Sequence, residues 1–181
     1  MPEGALLAEQ IIDAAGQALR RFGARKATVM DAVHILGVSH SSICRHFPDR
    51  DALRDAVVER CLARLRASLT DEDRPLVSWL DALHAAHRTA AHTDPELHAA
   101  YAQLPADSTV MSTHLQALAT VLTDRLRSRP LPPWAENHHH AAATALSAPA
   151  AFLDPHLNAA PSSSPDTFDA VRDLVTASLS S

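Results

Sequence analysis

The sequence is poor in glycine and in aromatic side chains, and this scarcity disfavours a β architecture. Only 4 of its 181 residues are glycine and 4% are aromatic, while alanine, leucine and arginine are abundant. Alanine and straight-chain residues favour helices, whereas strands are enriched in β-branched and aromatic residues. We therefore expect an all-α fold, with a core drawn from the 46% of residues that are hydrophobic.

Cysteine is also scarce, since Cys44 and Cys61 are the only two. Two thiols in a chain of this length do not form a disulfide framework, so we expect both to be reduced. No run of eighteen uncharged apolar residues occurs, and the first residues lack the basic segment that opens a signal peptide. These absences predict a cytoplasmic protein with no membrane partner.

Positive charge is limited overall, with a formal net charge of -5, but its distribution along the chain is uneven. Residues 1–66 carry ten Lys and Arg against eight Asp and Glu, a net of +2. Residues 67–181 carry six against thirteen, a net of -7. A polyanionic partner would therefore meet the first third of the chain. Uneven surface charge without such a partner explains the same numbers.

Apolar residues recur at three- and four-residue steps in the first part of the chain, which predicts four helices. The first ends at Gly23, and Thr28 can cap the second. Ser39 can cap a short third helix that Pro48 ends, because the residue before a proline is pushed out of the helical region. Asp49 can then cap a longer fourth helix.

A polar, proline-terminated break at residues 69–75 separates these four helices from the rest of the chain. We therefore predict one domain over residues 1–70 and a second over residues 71–181. Prolines punctuate the second part and help to separate its helical patterns. Its helices are expected over residues 76–91, 95–104, 108–128, 135–153 and 166–179.

The third predicted helix displays polar side chains on a very short scaffold. At 100° per residue, Ile43 and Phe47 face one side, and Ser41, Ser42 and Arg45 face the other. Together with the preceding short helix and the glycine turn between them, this is the layout of a helix-turn-helix. Arginine can pair with guanine, and hydroxyls can bond base edges or phosphates. A polar helix hairpin that faces only solvent fits these residues equally well.

Four consecutive segments carry a family pattern: "IIDAAGQALRRFG", "ATVMDAVHILGVS", "HSSICRHF" and "PDRDAL". They contain an alanine-rich first helix, a Thr-Val step before the second helix, a Gly-Val-Ser turn and a short helix that ends in an aromatic residue. Residues 7–62 thereby resemble the N-terminal domain of TetR family transcriptional regulators. The resemblance implies a helix-turn-helix DNA-binding domain followed by a helical ligand-binding and dimerisation domain.

The resemblance also implies which residues meet double-stranded DNA. The residues expected to reach base edges are His40, Ser41, Ser42 and Arg45. The residues expected to touch phosphates are Thr28, His46 and Arg50, and Ser39 is expected to cap the recognition helix. Alternatively, Thr28 and Ser39 serve only as helix caps, and Arg50 is only a solvated charge.

Cys44 departs from the family pattern, which most often has a tyrosine at this position. The tyrosine hydroxyl would supply a phosphate contact, so its loss puts DNA affinity in doubt more than the fold. Because Cys44 occupies a position that touches phosphate in the family pattern, we include it in the expected DNA-binding surface. A thiol beside Arg45 and His46 could also act as a redox switch, although a small apolar filler is the simpler interpretation.

The last predicted helix has an apolar face that suits a dimer. Together with the helix before it, this face could build a four-helix interface across a twofold axis. A twofold homodimer matches a palindromic operator. Alternatively, the face only covers the core of its own domain. Its residues are Phe168, Val171, Leu174, Val175 and Leu179.

Nine of the twelve histidines lie beyond residue 66, which raises the question of a metal site. His84 and His87 are one helical turn apart, and residues 138–140 are three consecutive histidines. No His-Glu-x-x-His motif, cysteine ligand pair or carboxylate at diagnostic spacing accompanies them. We therefore expect pocket or surface histidines, with no metal and no other cofactor. A histidine-metal enzyme is the alternative.

The second predicted domain can also build a ligand pocket, which needs apolar walls and a few polar groups. Both tryptophans and the single tyrosine of the chain lie in this region. We therefore predict an apolar or aromatic small molecule as effector. For any single one of these residues, filling the core is the simpler interpretation. The candidate pocket residues are Trp79, Leu83, His87, Tyr101, Met111, His114, Leu118 and Trp134.

These expectations combine into one hypothesis about function. The protein is a dimeric transcriptional repressor that binds a palindromic operator and is released by a small molecule. It is not an enzyme, since no Ser-His-Asp signature or glycine-rich phosphate loop is evident. A regulator-like protein that acts through protein contacts without reading DNA is a further alternative.

Overall fold

The structure, a computed structural model, describes residues 3–71, 74–105, 107–153 and 165–179. These residues form nine helices and no strand, which confirms the all-α prediction. None of these helices has the length and apolar composition that crossing a membrane requires. The helices are α1 Glu3–Phe22, α2 Val29–Leu36, α3 His40–Cys44, α4 Arg50–Ala67, α5 Leu76–Thr93, α6 Pro95–Tyr101, α7 Thr109–Leu126, α8 His138–Leu153 and α9 Pro165–Ser178.

The helix ends in the first part of the chain lie at the cap and glycine residues from which they were predicted. Gly23 and Gly37 follow α1 and α2 with φ values of +87° and +73°, a left-handed conformation that glycine adopts without steric cost. Thr28 and Asp31 form a capping box at the start of α2, each side chain accepting from the other residue's backbone N–H. The Asp49 carboxylate caps α4 by accepting a backbone N–H three residues later at 2.7 Å.

The chain forms two compact units that are discontinuous in sequence. The first unit comprises Met1–Leu62 and Ala91–Pro105, and the second comprises Ala63–Ala90 and Ala106–Ser181. Helix α6 therefore belongs to the first unit, although it lies in sequence between α5 and α7. The predicted boundary near residue 70 falls inside the second unit. The division by function, into DNA binding over 1–70 and ligand binding over 71–181, stays a prediction.

The first unit is packed largely through small side chains. Alanines on α1 and α2 let the helices approach closely, and single large residues from α1, α3 and α4 fill the centre. Arg60 ties α4 to α1 through salt bridges to Glu9 and Asp13 at 3.3 and 2.5 Å. The buried residues include Ile11, Ala14, Ala18, Leu19, Ala32, Ile43, Leu53 and Val57.

The second unit has a larger apolar core. Its buried residues come from α5, α7, α8 and α9, and include Trp79, Leu80, Leu83, Leu118, Leu122, Ala141, Leu146, Phe168, Val175 and Leu179. Three residues of the face predicted for dimerisation, Phe168, Val175 and Leu179, thus pack into the core of their own unit. Leu174, also from that face, is 69% exposed.

Candidate functional site

Helices α2 and α3 form the two helices of a helix-turn-helix. The turn between them is made at Gly37, and Ser39 then caps α3 by accepting the backbone N–H of Ser42 at 3.2 Å. Ile43 is fully buried and anchors α3 to the unit. The helix is shorter than predicted, because residues 45 and 46 form a turn ahead of Phe47 and Pro48.

The side of α3 opposite Ile43 is open to solvent. His40, Ser41 and Arg45 are exposed, and Ser42 is half-buried. These are the residues expected to reach base edges. Cys44 and His46 are half-buried at the flanks of this surface, and Thr28, Ser39 and Arg50 are exposed around it.

Hydrogen bonds order the hydroxyl groups of this surface. The Ser39 hydroxyl lies 3.0 Å from that of Ser41 and 2.8 Å from that of Ser42. The Arg45 guanidinium donates to the Ser42 hydroxyl at 3.3 Å. A guanidinium has five N–H donors, so most of those of Arg45 are available to a partner.

Cys44 is in contact with a histidine one turn away on the same helix. Its Sγ lies 3.5 Å from Nδ1 and 3.6 Å from Nε2 of His40. Residues four apart on a helix lie on one face, so the thiol and the imidazole orient each other. Sequence reasoning associated the thiol with its neighbours Arg45 and His46 and missed this contact.

Arg50 binds the backbone of the turn between α1 and α2. Its Nε donates to the carbonyl of Ala27 at 2.8 Å, and one terminal nitrogen donates to the carbonyls of Ala24 and Arg25 at 2.9 Å. The side chain therefore fixes the segment that leads into the Thr28 cap. The sequence could not reveal this role, because all three acceptors are main-chain atoms. The other terminal nitrogen has no hydrogen bond to the described residues.

Helix α6 is joined to the end of α1 by two polar contacts. Arg20 and Asp94 form a salt bridge at 2.7 Å, and the backbone N–H of Ala24 donates to the Glu96 carboxylate at 3.0 Å. Both pairs join residues more than 70 positions apart, so no local pattern predicts them. Both contacts are internal to the first unit, although α6 lies between α5 and α7 in the sequence.

The candidate ligand-binding residues are divided among several environments. Trp79, Leu83 and Leu118 belong to the core of the second unit, and Met111 is half-buried. Trp134 is 41% exposed and donates through its indole N–H to the carbonyl of Ser178 at 3.1 Å. Tyr101 is buried on α6, in the first unit. The other candidates are His87 and His114.

His87 and His114 form a buried polar pair on α5 and α7 of the second unit. Their rings are 5.4 Å apart at an interplanar angle of 62°, and His114 has no exposed surface. Burial, with smaller contributions from His87 and Arg66, lowers the pKa of His114 to about 3. His114 is therefore neutral at pH 7.

The contact with Arg66 sets the tautomer of His114. A terminal nitrogen of Arg66 lies 3.1 Å from His114 Nδ1, and because a guanidinium only donates, Nδ1 must accept. The proton of the neutral ring is then on Nε2, a buried atom with no hydrogen-bond partner among the described residues. A buried donor left unsatisfied costs about 1–3 kcal/mol, so this N–H favours an acceptor.

Three other histidines of the second unit have contacts that do not involve His87 or His114. His84 stacks on Phe168 at 3.8 Å, and burial lowers its pKa. His138 lies 3.1 Å from the carbonyl of Arg129, and His140 accepts the backbone N–H of Glu136 at 3.2 Å. Among the described residues, no three His, Cys, Asp or Glu side chains are arranged to hold a metal ion.

No family model and no curated protein matches the sequence. Solved structures do match it over nearly the whole chain. A putative transcriptional regulator from Pseudomonas aeruginosa is 23% identical with a TM-score of 0.57, covering 96% of this chain and 89% of that one. A TetR family regulator from Agrobacterium tumefaciens is 17% identical with a TM-score of 0.56, covering 97% and 98%. FadR from Bacillus subtilis, solved with stearoyl-CoA, is 16% identical with a TM-score of 0.54, covering 96% and 97%.

At these identities the similarity establishes the fold. The chain has the fold of TetR family transcriptional regulators, and the fold implied by residues 7–62 is confirmed.

Proposed function

We propose that the protein is a transcriptional regulator that binds a palindromic operator as a homodimer, acts as a repressor and is released by a small molecule. The observation that carries the proposal is the α2–α3 pair, whose cap, turn and buried Ile43 are formed while the opposite side of α3 is exposed. The solved transcriptional regulators that share the fold support it.

In this proposal Arg45 reads a base and Arg50 holds the surface in place. Arg45 is exposed and its guanidinium makes one weak hydrogen bond, so it can pair bidentately with guanine in a major groove. Arg50 uses three donors on the protein backbone and offers its other terminal nitrogen to a phosphate.

The proposed effector is an apolar molecule that carries an oxygen acceptor. The Nε2–H of His114 supplies the donor, and Leu118 is one helical turn further along α7 in the apolar core. Stearoyl-CoA, which the B. subtilis FadR structure contains, joins an apolar chain to a carbonyl group and has this general character.

Helix α6 would couple effector binding to the operator. It follows α5 and precedes α7, the helices that carry His87 and His114. Its cap residue Asp94 contacts α1, and its Glu96 contacts the turn after α1. An effector acts only through unequal affinity for the DNA-competent and DNA-incompetent states, so the operator must weaken effector binding by the same factor.

The test is selection of fragments from a genomic DNA library by the purified protein at about 150 mM salt, where nonspecific phosphate binding is weak. We expect recovery of a palindromic site. Arg45→Ala should then lose about 1–3 kcal/mol of binding free energy and discriminate less at one position per half-site. Arg64→Ala, which removes an exposed arginine outside the helix-turn-helix, serves as the control.

Two outcomes would contradict the proposal. Equal losses in the Arg45 and Arg64 variants would show that Arg45 contributes only charge. Recovery of no site by the wild-type protein would favour a protein that acts through protein contacts.

A further inference from the structure

The basic residues of the acidic part of the chain are concentrated at one cleft. Residues 67–181 contain only six Lys and Arg, namely Arg74, Arg88, Arg125, Arg127, Arg129 and Arg172. Four of the six, Arg74, Arg125, Arg127 and Arg129, line a cleft of about 890 Å³ in the second unit. Among its described lining residues, Asp124 is the single carboxylate. The Asp71 carboxylate, which is not part of the lining, lies 3.7 Å from Nε of Arg74. The described lining residues thus carry more positive than negative charge.

Two groups of residues line this cleft: Thr70 and residues 74–76 before and at the start of α5, and residues 121 and 124–129 at the carboxyl end of α7. Arg125 joins them, because its guanidinium donates to the backbone carbonyls of Arg74, at 2.8 Å, and Asp71. It also lies 5.7 Å from the ring centroid of Trp79, within the range of a cation–π contact. Arg125 is thus a structural element of the cleft.

Arg127 and Arg129 are the more accessible cations. The Arg127 side chain is 72% exposed, and its contact with Asp124 is a single exposed salt bridge at 3.3 Å. Arg129 is exposed as well. Exposed pairs of this kind contribute little free energy, so a stronger anion can replace them at small cost.

The helix dipole explains only part of this arrangement. The carboxyl end of α7 attracts cations, which accounts for arginines in and just beyond its last turn. It does not account for Arg74, which comes from a different segment and adds a fourth cation to the same cleft.

We propose that this cleft binds the phosphate groups of a small di- or triphosphate compound. Its volume lies in the range of small-molecule sites. Guanidinium groups match phosphate oxygens in bidentate geometry, and several cations around one concavity hold a polyanion more strongly than isolated charges do. The proposal does not depend on DNA binding or on the His114 site.

The experiment is calorimetric titration of the full chain with inorganic pyrophosphate and tripolyphosphate at about 20 and 150 mM NaCl. We expect tripolyphosphate to bind more tightly than pyrophosphate, and both to weaken at the higher salt concentration. Combining Arg127→Ser with Arg129→Ser should weaken binding about tenfold, as expected for the loss of two partly exposed charge contacts.

The matched control combines Arg64→Ser with Arg88→Ser, which removes two exposed charges of the same unit outside the cleft. It should bind both probes like the wild-type protein. Circular dichroism checks that each variant is folded, and Arg129→Ser alone replaces the double variant if that one is not.

Three results would overturn the proposal. The first is no binding of either probe by the wild-type protein at millimolar concentration. The second is an equal loss in the control, which would indicate a general effect of net charge. The third is that the cleft substitutions weaken binding of non-operator duplex DNA and leave tripolyphosphate binding unchanged, which would assign the cleft to nucleic acid.

Discussion

The two units place their polar groups differently. In the first unit, arginines and carboxylates near the surface bond to the backbone or to other helices, as Arg50 does at the α1–α2 turn and Arg60 does at α1. In the second unit, imidazoles lie inside, among helices packed through large apolar side chains. The first unit thus combines polar tethers with a small core. The second combines tethers such as Arg172 to Asp81 with a larger core that contains buried imidazoles.

This difference matters for how each unit can respond. An exposed polar surface can meet a charged partner without rearrangement, since its groups are already solvated. A buried donor such as His114 Nε2–H can gain an acceptor only when the surrounding side chains move. This difference agrees with the proposed function, in which the first unit binds DNA and the second responds to a small molecule.

Acid should destabilise the second unit through His114. In the folded state its pKa is about 3, whereas in the unfolded chain it is close to 6.5. As pH falls below 6.5 the unfolded state takes up a proton that the folded state does not, so stability decreases with falling pH until about pH 3. One such group contributes a slope of up to about 1.4 kcal/mol per pH unit.

Urea unfolding at pH 7, 6, 5 and 4 measures this slope. His114→Gln should show a shallower pH dependence than the wild-type protein, and His92→Gln, at an exposed histidine, should leave it unchanged. Some slope will remain in the His114 variant, because burial also lowers the pKa of His84 and His98. Identical slopes in all three proteins would show that His114 is not protected from protonation.

The polar tethers of the first unit are tested at Arg50. Arg50→Ala removes three hydrogen bonds from a charged donor to backbone carbonyls and should lower the free energy of unfolding by about 2 kcal/mol. Arg25→Ala is the matched control, because it removes an exposed arginine while its carbonyl stays available to Arg50. Its effect should lie within about 0.5 kcal/mol.

The same two variants separate the possible roles of Arg50. If Arg50→Ala is as stable as Arg25→Ala but binds every DNA sequence more weakly, Arg50 acts through phosphate alone. If it is less stable and binds all sequences more weakly, it holds the turn and the DNA contact together. Chemical unfolding and DNA titration at fixed salt concentration provide both measurements.

Most of the first unit could be predicted because its signals are local. The caps and the turn depend on hydrogen bonds between residues only a few positions apart, so the sequence spacing specifies them. The residues concerned are Thr28, Asp31, Gly37, Ser39 and Ser42. The exposed side of α3 also follows from helical periodicity. The Arg50 contacts could not be predicted, since main-chain acceptors 23 to 26 residues away leave no residue-type signal.

Less of the second unit could be predicted, for a physical reason. Its helices follow from apolar periodicity, but its sites depend on pairs such as Arg66 and His114, which lie 48 residues apart. Buried histidines read from sequence alone are equally compatible with a metal site, a pocket and a core. The clustering of arginines around the α7 cleft likewise appears only when the α4–α5 connection and the end of α7 are brought together.

Helix α6 lies in the first unit, although it is between two helices of the second unit in the sequence. A substitution of Glu96 tests its contact with the α1–α2 turn, and the expected effect is the smallest of these predictions. Glu96→Gln keeps the size of the side chain but replaces the charged acceptor of the Ala24 N–H with a neutral one. A hydrogen bond to a charged group contributes roughly 1 kcal/mol more than a bond between neutral groups. Amide hydrogen exchange at Ala24 should therefore accelerate by about fivefold. Glu9→Gln, which alters a salt bridge to α4 instead, should leave exchange at Ala24 unchanged. Equal exchange rates at Ala24 in the Glu96 variant and the wild-type protein would mean that this bond does not hold α6 to α1, and the coupling proposed for α6 would then depend on Arg20 and Asp94 alone.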